Sequence, residues 1–459
     1  MTLLANSAAA RDIENQVHPQ TNLRLHREQG PFIVDKGAGV RVFDDDGRDY
    51  IETVAGLWCA ALGFSANERI AKVAYEQLRT LGYYHSYRHR ANHPSIDLAE
   101  TLMRLAPVPM SKALFFSSGS EANDTAVKLA WYYHHAIGKP EKNKIIGRDK
   151  GYHGSTIGAI SVSGKPDMHA DFGLPLPQFR HAEMPHYYRF AEPGESEADF
   201  ATRLADNLEK LILDEGPETV AAFFAEPVMG AGGGIVPPES YFEKVQAVLR
   251  RYEVLFVADE VICGFGRTGN WWGSQTFDLQ PDMISCAKAL SAAFQPISAL
   301  LVNEKIYQAM LTESDKLGSF AHGSTYSGHP VATAVAREVI AIYEEEDLIG
   351  HAARVGGHML RRLSELAEHP LVGDVTGVGL LTGVELVQDK ATRQPYDPEF
   401  GLGARIDRHG HQNGLILRVV GDRIVFAPPL IISEGEVDEA VDRFRRTLDD
   451  TWAEVRELT

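Results

Sequence analysis

The sequence predicts an α/β fold: a mainly parallel, doubly wound sheet in a large domain, completed by a smaller α+β domain made from both chain ends. Three observations point there. Between residues 113 and 302, short apolar runs alternate with segments of helical periodicity, the strand–helix–strand rhythm of a parallel sheet. The run Val254-Leu255-Phe256-Val257-Ala258 contains no polar residue and ends in Asp259-Glu260, as a strand covered on both faces would. Outside this block the texture differs, with a hairpin pattern before it and, beyond residue 331, a long helical stretch followed by short strands and a final helix. At 459 residues the chain is too long for one compact core. The expected division is 1–64 and 331–459 for the two parts of the small domain, and 65–330 for the large one.

Taken in order, residues 1 to about 30 are polar and carry His18-Pro19, so a tail or a short helix is expected. Pro31-Phe32-Ile33-Val34 opens a set of short strands, and Val40 to Ile51 reads as a hairpin turning at Asp46-Gly47. Residues 67–82 place Ile70, Val73, Ala74 and Leu78 on one helical face, which the aromatic run Tyr83-Tyr84-His85-Ser86-Tyr87 breaks. Pro94 to Ala106 is a further helix. Ala113 to Phe116 is a strand, and the Ser118…Glu121 spacing after it is a capping box that starts a helix running through Tyr133. Lys144 to Gly147 is a strand, followed by Gly151-Tyr152-His153-Gly154. Residues 165–195 show little periodicity and are expected to form an irregular surface excursion. Residues 200–213 are helical, Val220 to Ala225 is a strand ending at Glu226-Pro227, and residues 239–252 are helical. Asp282 to Ala287 forms the next strand, ending at Lys288, and Ile297 to Val302 another. His322 to Pro330 is a loop dense in glycine and hydroxyls. A long helical stretch (331–370), strand residues within Val375 to Leu386, a helix near 400–413, strands at Leu415 to Arg418 and Ile424 to Ala427, and an acidic helix from Ser433 complete the chain.

Composition narrows the function. A formal net charge of −18 argues against nucleic acid and anionic membrane surfaces as partners. Cys59, Cys263 and Cys286 are odd in number and widely spaced, giving neither a disulfide framework nor metal-ligand spacing, which fits a reducing cytoplasm. The start, Met1 to Ser7, lacks a basic region and a long apolar run, so no signal peptide is expected, and no apolar stretch is long enough to span a bilayer.

The strand ends carry the chemistry. A carboxylate at the C-terminal end of a buried strand is costly without a cationic partner, and ligands of open α/β sheets sit at that end. Either Asp259 or Glu260 is therefore expected to face a bound cation or cationic ring. Lys288 ends the next strand, and an amine there loses solvation and becomes a nucleophile towards carbonyls. Ser118-Gly119-Ser120 opens a helix whose free N–H groups suit a phosphate, and Tyr152 offers a flat ring for stacking. Brought to one sheet edge, Ser118-Gly119-Ser120, Tyr152-His153, Glu226, Asp259 and Lys288 would supply a phosphate cradle, a stacking ring, an acid for a ring nitrogen and an amine for an aldehyde. Pyridoxal 5′-phosphate requires those groups.

From Trp58 to Pro429, and most specifically from Asp259-Glu260-Val261-Ile262-Cys263-Gly264-Phe265-Gly266-Arg267-Thr268-Gly269 through Lys288, the chain resembles the class III aminotransferases of fold type I, nearest the ω-transaminases that act with pyruvate. The resemblance implies that Lys288 forms the Schiff base with the cofactor and then serves as base for the 1,3-proton shift. It implies that Asp259 keeps the pyridine nitrogen protonated, and that Val261 and Tyr152 press on opposite ring faces. Ser118, Gly119 and Ser120 match the phosphate-binding turn, His153 a further cofactor contact, and Glu226 the acid that orders the site beside Asp259. Thr325 matches a residue that reaches the phosphate from the neighbouring subunit, which implies a homodimer with shared sites, alone or paired into a tetramer. Arg418 stands where related enzymes keep a mobile arginine for a substrate carboxylate, a role suited to a planar two-pronged donor. Trp58, Tyr87 and Tyr152 would line the substrate pocket. The implied reaction moves an amino group from an ω-amino acid or primary amine to pyruvate. An aminomutase or decarboxylase of the same fold, or a transaminase using 2-oxoglutarate, are the alternatives. In one place the chain departs from the pattern: Ala292-Ala293-Phe294 replaces what is more often a glycine-rich run.

Overall fold

The computed structural model describes residues 7–458. Residues 1–6, which begin the stretch read for a targeting signal, and Thr459 lie outside the described residues. The chain first forms two short helices, Ala8–Asn15 and Leu23–Gln29, where a tail or one helix was the expectation. A meander follows, β1 (Val34–Ala38), β2 (Arg41–Asp44) and β3 (Asp49–Glu52), all antiparallel. Its second turn needs Gly47, which sits at φ +84°.

The central sheet has β4 (Lys112–Phe116), β5 (Lys144–Arg148), β6 (Phe179–Ala182), β7 (Val220–Ala225), β8 (Leu255–Asp259), β9 (Met283–Cys286) and β10 (Ser298–Val302). Their spatial order is β4-β10-β9-β8-β7-β5-β6. Only β10 runs against its neighbours, so the C-terminal ends of β4, β5, β7, β8 and β9 share one edge. Every residue of β7, β8 and β9 is buried, as their largely apolar sequences, broken only by Asp259 and Ser285, lead one to expect. Successive side chains serve opposite layers. Phe223, Phe256 and Ile284 pack with Phe200 and Leu204 of helix Glu197–Glu215 and Val245 of helix Tyr241–Arg251. Phe224, Val257 and Met283 pack with Ala122, Ala126 and Leu129 of helix Gly119–Ala136.

Three expectations change. Residues 165–195 are not wholly irregular, because Phe179–Ala182 is the edge strand β6, paired in parallel with β5. Its sequence, Phe-Arg-His-Ala, hides the strand: only Phe179 is buried, and an edge strand can carry polar side chains. Helix Glu304–Leu317, capped by the Asn303 side chain on Ile306 N–H, went unread. The stretch 331–370 is two main helices, Pro330–Glu345 and Leu348–Ser364. Asp347 breaks it by taking a left-handed conformation (φ 46°, ψ 45°) and capping the second helix with its carboxylate.

The chain's two ends meet in the remaining sheets, formed with β11 (Val372–Val378), β12 (Leu381–Leu386), β13 (Leu415–Ile416), β14 (Arg418–Val420) and β15 (Arg423–Phe426). β13 extends the N-terminal meander, pairing in parallel with β3, while β11-β12-β15-β14 forms a separate sheet. Arg267, fully buried, ties this part to the loop after β8 by donating to the carbonyls of Leu380 (3.0 Å) and Pro428 (2.6 Å).

Candidate active site

A cavity of about 370 Å³ opens at the C-terminal edge of the central sheet. Ser118, Gly119, Ser120, Tyr152, His153, Glu226, Asp259, Val261 and Lys288 all line it, so nine of the residues singled out in the sequence share one space. The parallel strands explain the convergence, since each of these residues ends, or shortly follows, a strand that points the same way.

The acid end is held from three sides. Asp259 Oδ2 accepts from Asn123 Nδ2 (2.8 Å), and His153 Nδ1 lies 2.8 Å from the same oxygen. Its Oδ1 accepts the Val261 N–H (3.0 Å). Of the two strand-end carboxylates, Asp259 faces the cavity. Glu260 turns away and accepts from the N–H groups of Gly273 and Ser274 and from the Ser274 hydroxyl, a structural cap. Glu226 is fully buried. It accepts the N–H of Tyr152 (2.7 Å) and of Gly230 (3.0 Å), and burial pushes its carboxyl above the usual range. It thereby fixes the backbone that carries the Tyr152 ring. Burial also lifts the Tyr152 phenol.

The anion end is the N-terminus of helix Gly119–Ala136. Ser118 Oγ caps Glu121 N–H (3.2 Å), while the Glu121 carboxylate accepts from Ser117 N–H (2.9 Å), one residue before the position of a standard capping box. The first turn leaves N–H groups without intrahelical acceptors, and the helix dipole adds positive potential there. Two glycines keep the cradle narrow. A Cβ on Gly119 would lie 3.0 Å from Val261 Cγ2, and one on Gly154 (φ +140°) would meet Ser120 Oγ at 2.5 Å.

The amine end is strained. Lys288 itself sits at φ +50°, at the start of a short 3-10 turn that follows β9. Its Nζ lies 5.9 Å from the centre of the Trp58 ring, and Arg418 Cζ lies 5.8 Å from that ring. Trp58 is buried at the end of a left-handed turn: Ala55, Gly56, Leu57 and Trp58 have φ of +48°, +53°, +65° and +64°. Each non-glycine residue in that region costs roughly 1–2 kcal/mol. The turn is closed by Trp58 N–H to Val54 carbonyl (2.6 Å) and Cys59 N–H to Ala55 carbonyl (2.9 Å). The Glu52 carboxylate, itself buried, holds it from below by accepting from Val54 N–H (3.2 Å) and Gly56 N–H (2.6 Å). Burial lifts Glu52 to about 7.

Four expected residues are not among those that line this cavity: Trp58 and Arg418 adjoin it only through the Lys288–Trp58–Arg418 contacts, with Arg418 lining a separate groove beside Tyr396 and Asp422, and Thr325 and Tyr87 stand apart from it. Thr325 lies in the 322–330 loop, where its carbonyl accepts from Tyr83 Oη (2.7 Å). Tyr87 is exposed and packs near Gly323 of the same loop. Sequence reading missed Asn123 and Cys59. Asn123 had a signal: it follows Gly119 by four, on the same helical face. Cys59 was carried into the cavity wall by the left-handed turn, which no local pattern announces. The departure at Ala292-Ala293-Phe294 has a clear physical form. Ala292 (φ +48°) and Ala293 (φ +68°) occupy backbone positions natural to glycine, and Ala293 lines the cavity.

The residues present fit pyridoxal 5′-phosphate. An amine, a carboxylate held by three donors and a helix N-terminus stand around a cavity of ligand size. His153, which lines it, and Asn123, which is bonded to Asp259, each keep a buried polar atom without a partner (Nε2 and Oδ1), and glycines leave the room that a Cβ would fill. Comparison with known proteins agrees. The profile of the family Aminotransferase class-III matches residues 25–448. The chain is 46% identical over 464 residues to gamma aminobutyrate transaminase 3, chloroplastic, of Solanum lycopersicum, covering 100% of this chain and 89% of that one. The ω-transaminase of Pseudomonas jessenii in complex with PMP superposes with a TM-score of 0.95 at 52% identity, over 97% of this chain and 98% of that chain. A transaminase solved with L-Ala gives a TM-score of 0.90 at 52% identity, over 92% of this chain and 100% of that one. The chain therefore belongs to the class III aminotransferases, fold type I enzymes that take pyridoxal 5′-phosphate as cofactor.

Proposed function

We propose that this transaminase takes the amino group of an ω-amino acid or primary amine and delivers it to pyruvate, as a homodimer with shared sites. The observation that carries the substrate side is Arg418. Among the described residues no carboxylate pairs with it, its Nε is buried without an acceptor, and its guanidinium adjoins the Trp58 ring that Lys288 also faces. A buried guanidinium atom without an acceptor is costly, and a substrate carboxylate would satisfy it with two parallel hydrogen bonds. Pyruvate and an ω-amino acid each bring one such carboxylate. The transaminase solved with L-Ala, the amination product of pyruvate, and the 4-aminobutyrate activity named for the tomato relative both support this pairing.

When bound, pyridoxal 5′-phosphate supplies the aldehyde that takes up the amino group and the ring that accepts electrons. The residues of this chain do the rest. Ser118, Gly119 and Ser120 hold the phosphate at the helix N-terminus. Asp259, fixed by Asn123, His153 and the Val261 N–H, would offer its carboxylate to the ring nitrogen. Val261 and Tyr152, both in the cavity lining, would bracket the ring. Lys288 Nζ holds the cofactor and moves the proton at the amino-bearing carbon. Glu226 positions Tyr152, and Trp58 limits the bulk admitted beside the amine.

Support for the dimer comes from the surface. Tyr83, Tyr84, Tyr87 and Tyr326 are between 41% and 60% exposed around the loop that carries Thr325. An exposed aromatic patch of this kind suits an interface, and it would bring Thr325 and Tyr87 to the neighbouring cavity. The test is a donor–acceptor screen with 4-aminobutyrate, β-alanine and simple primary amines. Alanine formed from pyruvate is expected. Glutamate formed from 2-oxoglutarate, with no alanine from pyruvate, would overturn the acceptor, and sedimentation as a monomer would overturn the shared site.

A further inference from the structure

We infer that the N-terminal arm binds a divalent metal ion of the zinc type between Asp12, His18 and His26. Asp12 lies in helix Ala8–Asn15, His26 in helix Leu23–Gln29, and His18 in the link between them. Both imidazole Nε2 atoms lie 3.0 Å from Asp12 Oδ2, and that of His18 is also 3.0 Å from Oδ1. The two rings stand 4.3 Å apart, tilted by 36°. One ligand atom from each residue thus lies within 4.8 Å of the others, and among the described residues no other group of three His, Cys, Asp or Glu converges in this way. Tetrahedral zinc, with bonds of about 2.0–2.1 Å, holds neighbouring ligand atoms roughly 3.3 Å apart. The two Asp12–imidazole spacings differ from that value by only a few tenths of an ångström, and the two imidazole nitrogens lie within 4.8 Å of each other, so a small rotation of the rings would complete the arrangement. Two imidazoles and one carboxylate favour zinc and its first-row neighbours over magnesium or calcium, which prefer all-oxygen shells. The side chains of Asp12, His18 and His26 are 18%, 30% and 10% exposed, so water can reach the fourth position.

A second observation, from the arm itself, shows why a tie matters there. Its helices have 8 and 7 residues and neither contains a buried residue. Helices this short are marginal on their own, and small units without a core are commonly held by a staple. Among the described residues, the side-chain hydrogen bonds that link Asp12's helix to the segment after it all run to Asp12. A metal would replace these bonds, taking the lone pairs of two neutral imidazoles with their protons on Nδ1. None of the three residues lines the cofactor cavity, so the site is separate from transamination.

The test uses holoenzyme stripped with a chelator and then dialysed against zinc. It compares native protein with His18→Gln/His26→Gln and with Asp12→Asn, each at native transaminase activity. Native protein is expected to retain one zinc per subunit more than the double variant, with Asp12→Asn binding roughly tenfold or more weakly. Zinc is expected to slow trypsin cleavage after Arg24 and Arg27 in native protein alone. Equal zinc content in native and double-variant protein, or arm cleavage unaffected by zinc, would overturn the proposal and leave the cluster as a hydrogen-bonded clasp.

Discussion

The two ends of the active site are built on opposite principles. At the cofactor end, groups sit on or just after parallel strands buried on both faces, and Asp259 and Glu226 each accept two or more hydrogen bonds from fixed donors. At the substrate end, Trp58 rides on a left-handed turn and Arg418 on the edge strand β14, and Trp58 Nε1 and Arg418 Nε are both buried without partners. The contrast teaches where this protein keeps its constancy and where it keeps its choice. The carboxylates of the cofactor end are locked by fixed donors, while in the proposed function recognition falls to Trp58 and Arg418, which no such network holds.

Breaking the locked end should have the largest effect. Lys288→Ala is expected to lower turnover by on the order of 10³-fold or more, measured as alanine formed from pyruvate. Borohydride reduction and peptide mapping of native protein should find the cofactor on Lys288. Asp259→Asn should cost about a hundredfold in kcat with the cofactor still bound, since it removes the charge and keeps the shape. A loss confined to KM would show that the acid end governs binding. At the open end, Arg418→Leu should raise the KM for pyruvate by roughly tenfold to a hundredfold, the value of a charge-assisted hydrogen bond, and leave the KM for an uncharged amine nearly unchanged. Equal changes for both would erase the proposed distinction between the ends.

A pH measurement sharpens the comparison within the sheet that carries Arg418. On neighbouring β15, Arg423 reaches Glu385 Oε2 (2.7 Å), and its Nη1 lies 2.9 Å from His186 Nε2. Burial, with help from the nearby Arg423 and Arg189, holds His186 down to about 3. The folded state therefore binds fewer protons than the unfolded state between about pH 6.5 and pH 3, so this group's stabilising contribution is complete above pH 6.5 and is lost as pH falls towards 3. His186→Gln should flatten that part of the stability–pH curve in denaturant titrations. A slope unchanged in the variant would assign the acid sensitivity to other groups. The smallest effect is expected at Ala292, where glycine would relieve a left-handed backbone (φ +48°). Ala292→Gly should stabilise by up to about 1 kcal/mol, after the entropy that glycine adds to the unfolded chain.

The same contrast explains what the sequence made legible. Asp259, Lys288, Glu226, Tyr152 and Ser118-Gly119-Ser120 follow apolar runs, and an apolar run declares both its strand and the strand's end. The left-handed turn at Ala55 to Trp58 was invisible, because only Gly56 among its residues favours that region and the other three obey a tertiary demand. Glu52 reads as an ordinary residue at a hairpin's end, and nothing local shows that it supports the turn. β6 was lost because an edge strand that buries a single residue has no periodicity to show. Asp347 ended a helix that composition alone would have continued.

The left-handed turn has a consequence for how new substrates could be acquired. A coil of that hand projects its side chains along directions that a right-handed turn of the same residues cannot reach, so the wall beside the amine is a matter of handedness as much as of bulk. Its hand is anchored at Glu52, outside the wall itself. The occupant of position 58 can then vary in size while the scaffold beneath stays wound the same way, which separates mutational exploration of the binding chamber from the risk of collapsing it.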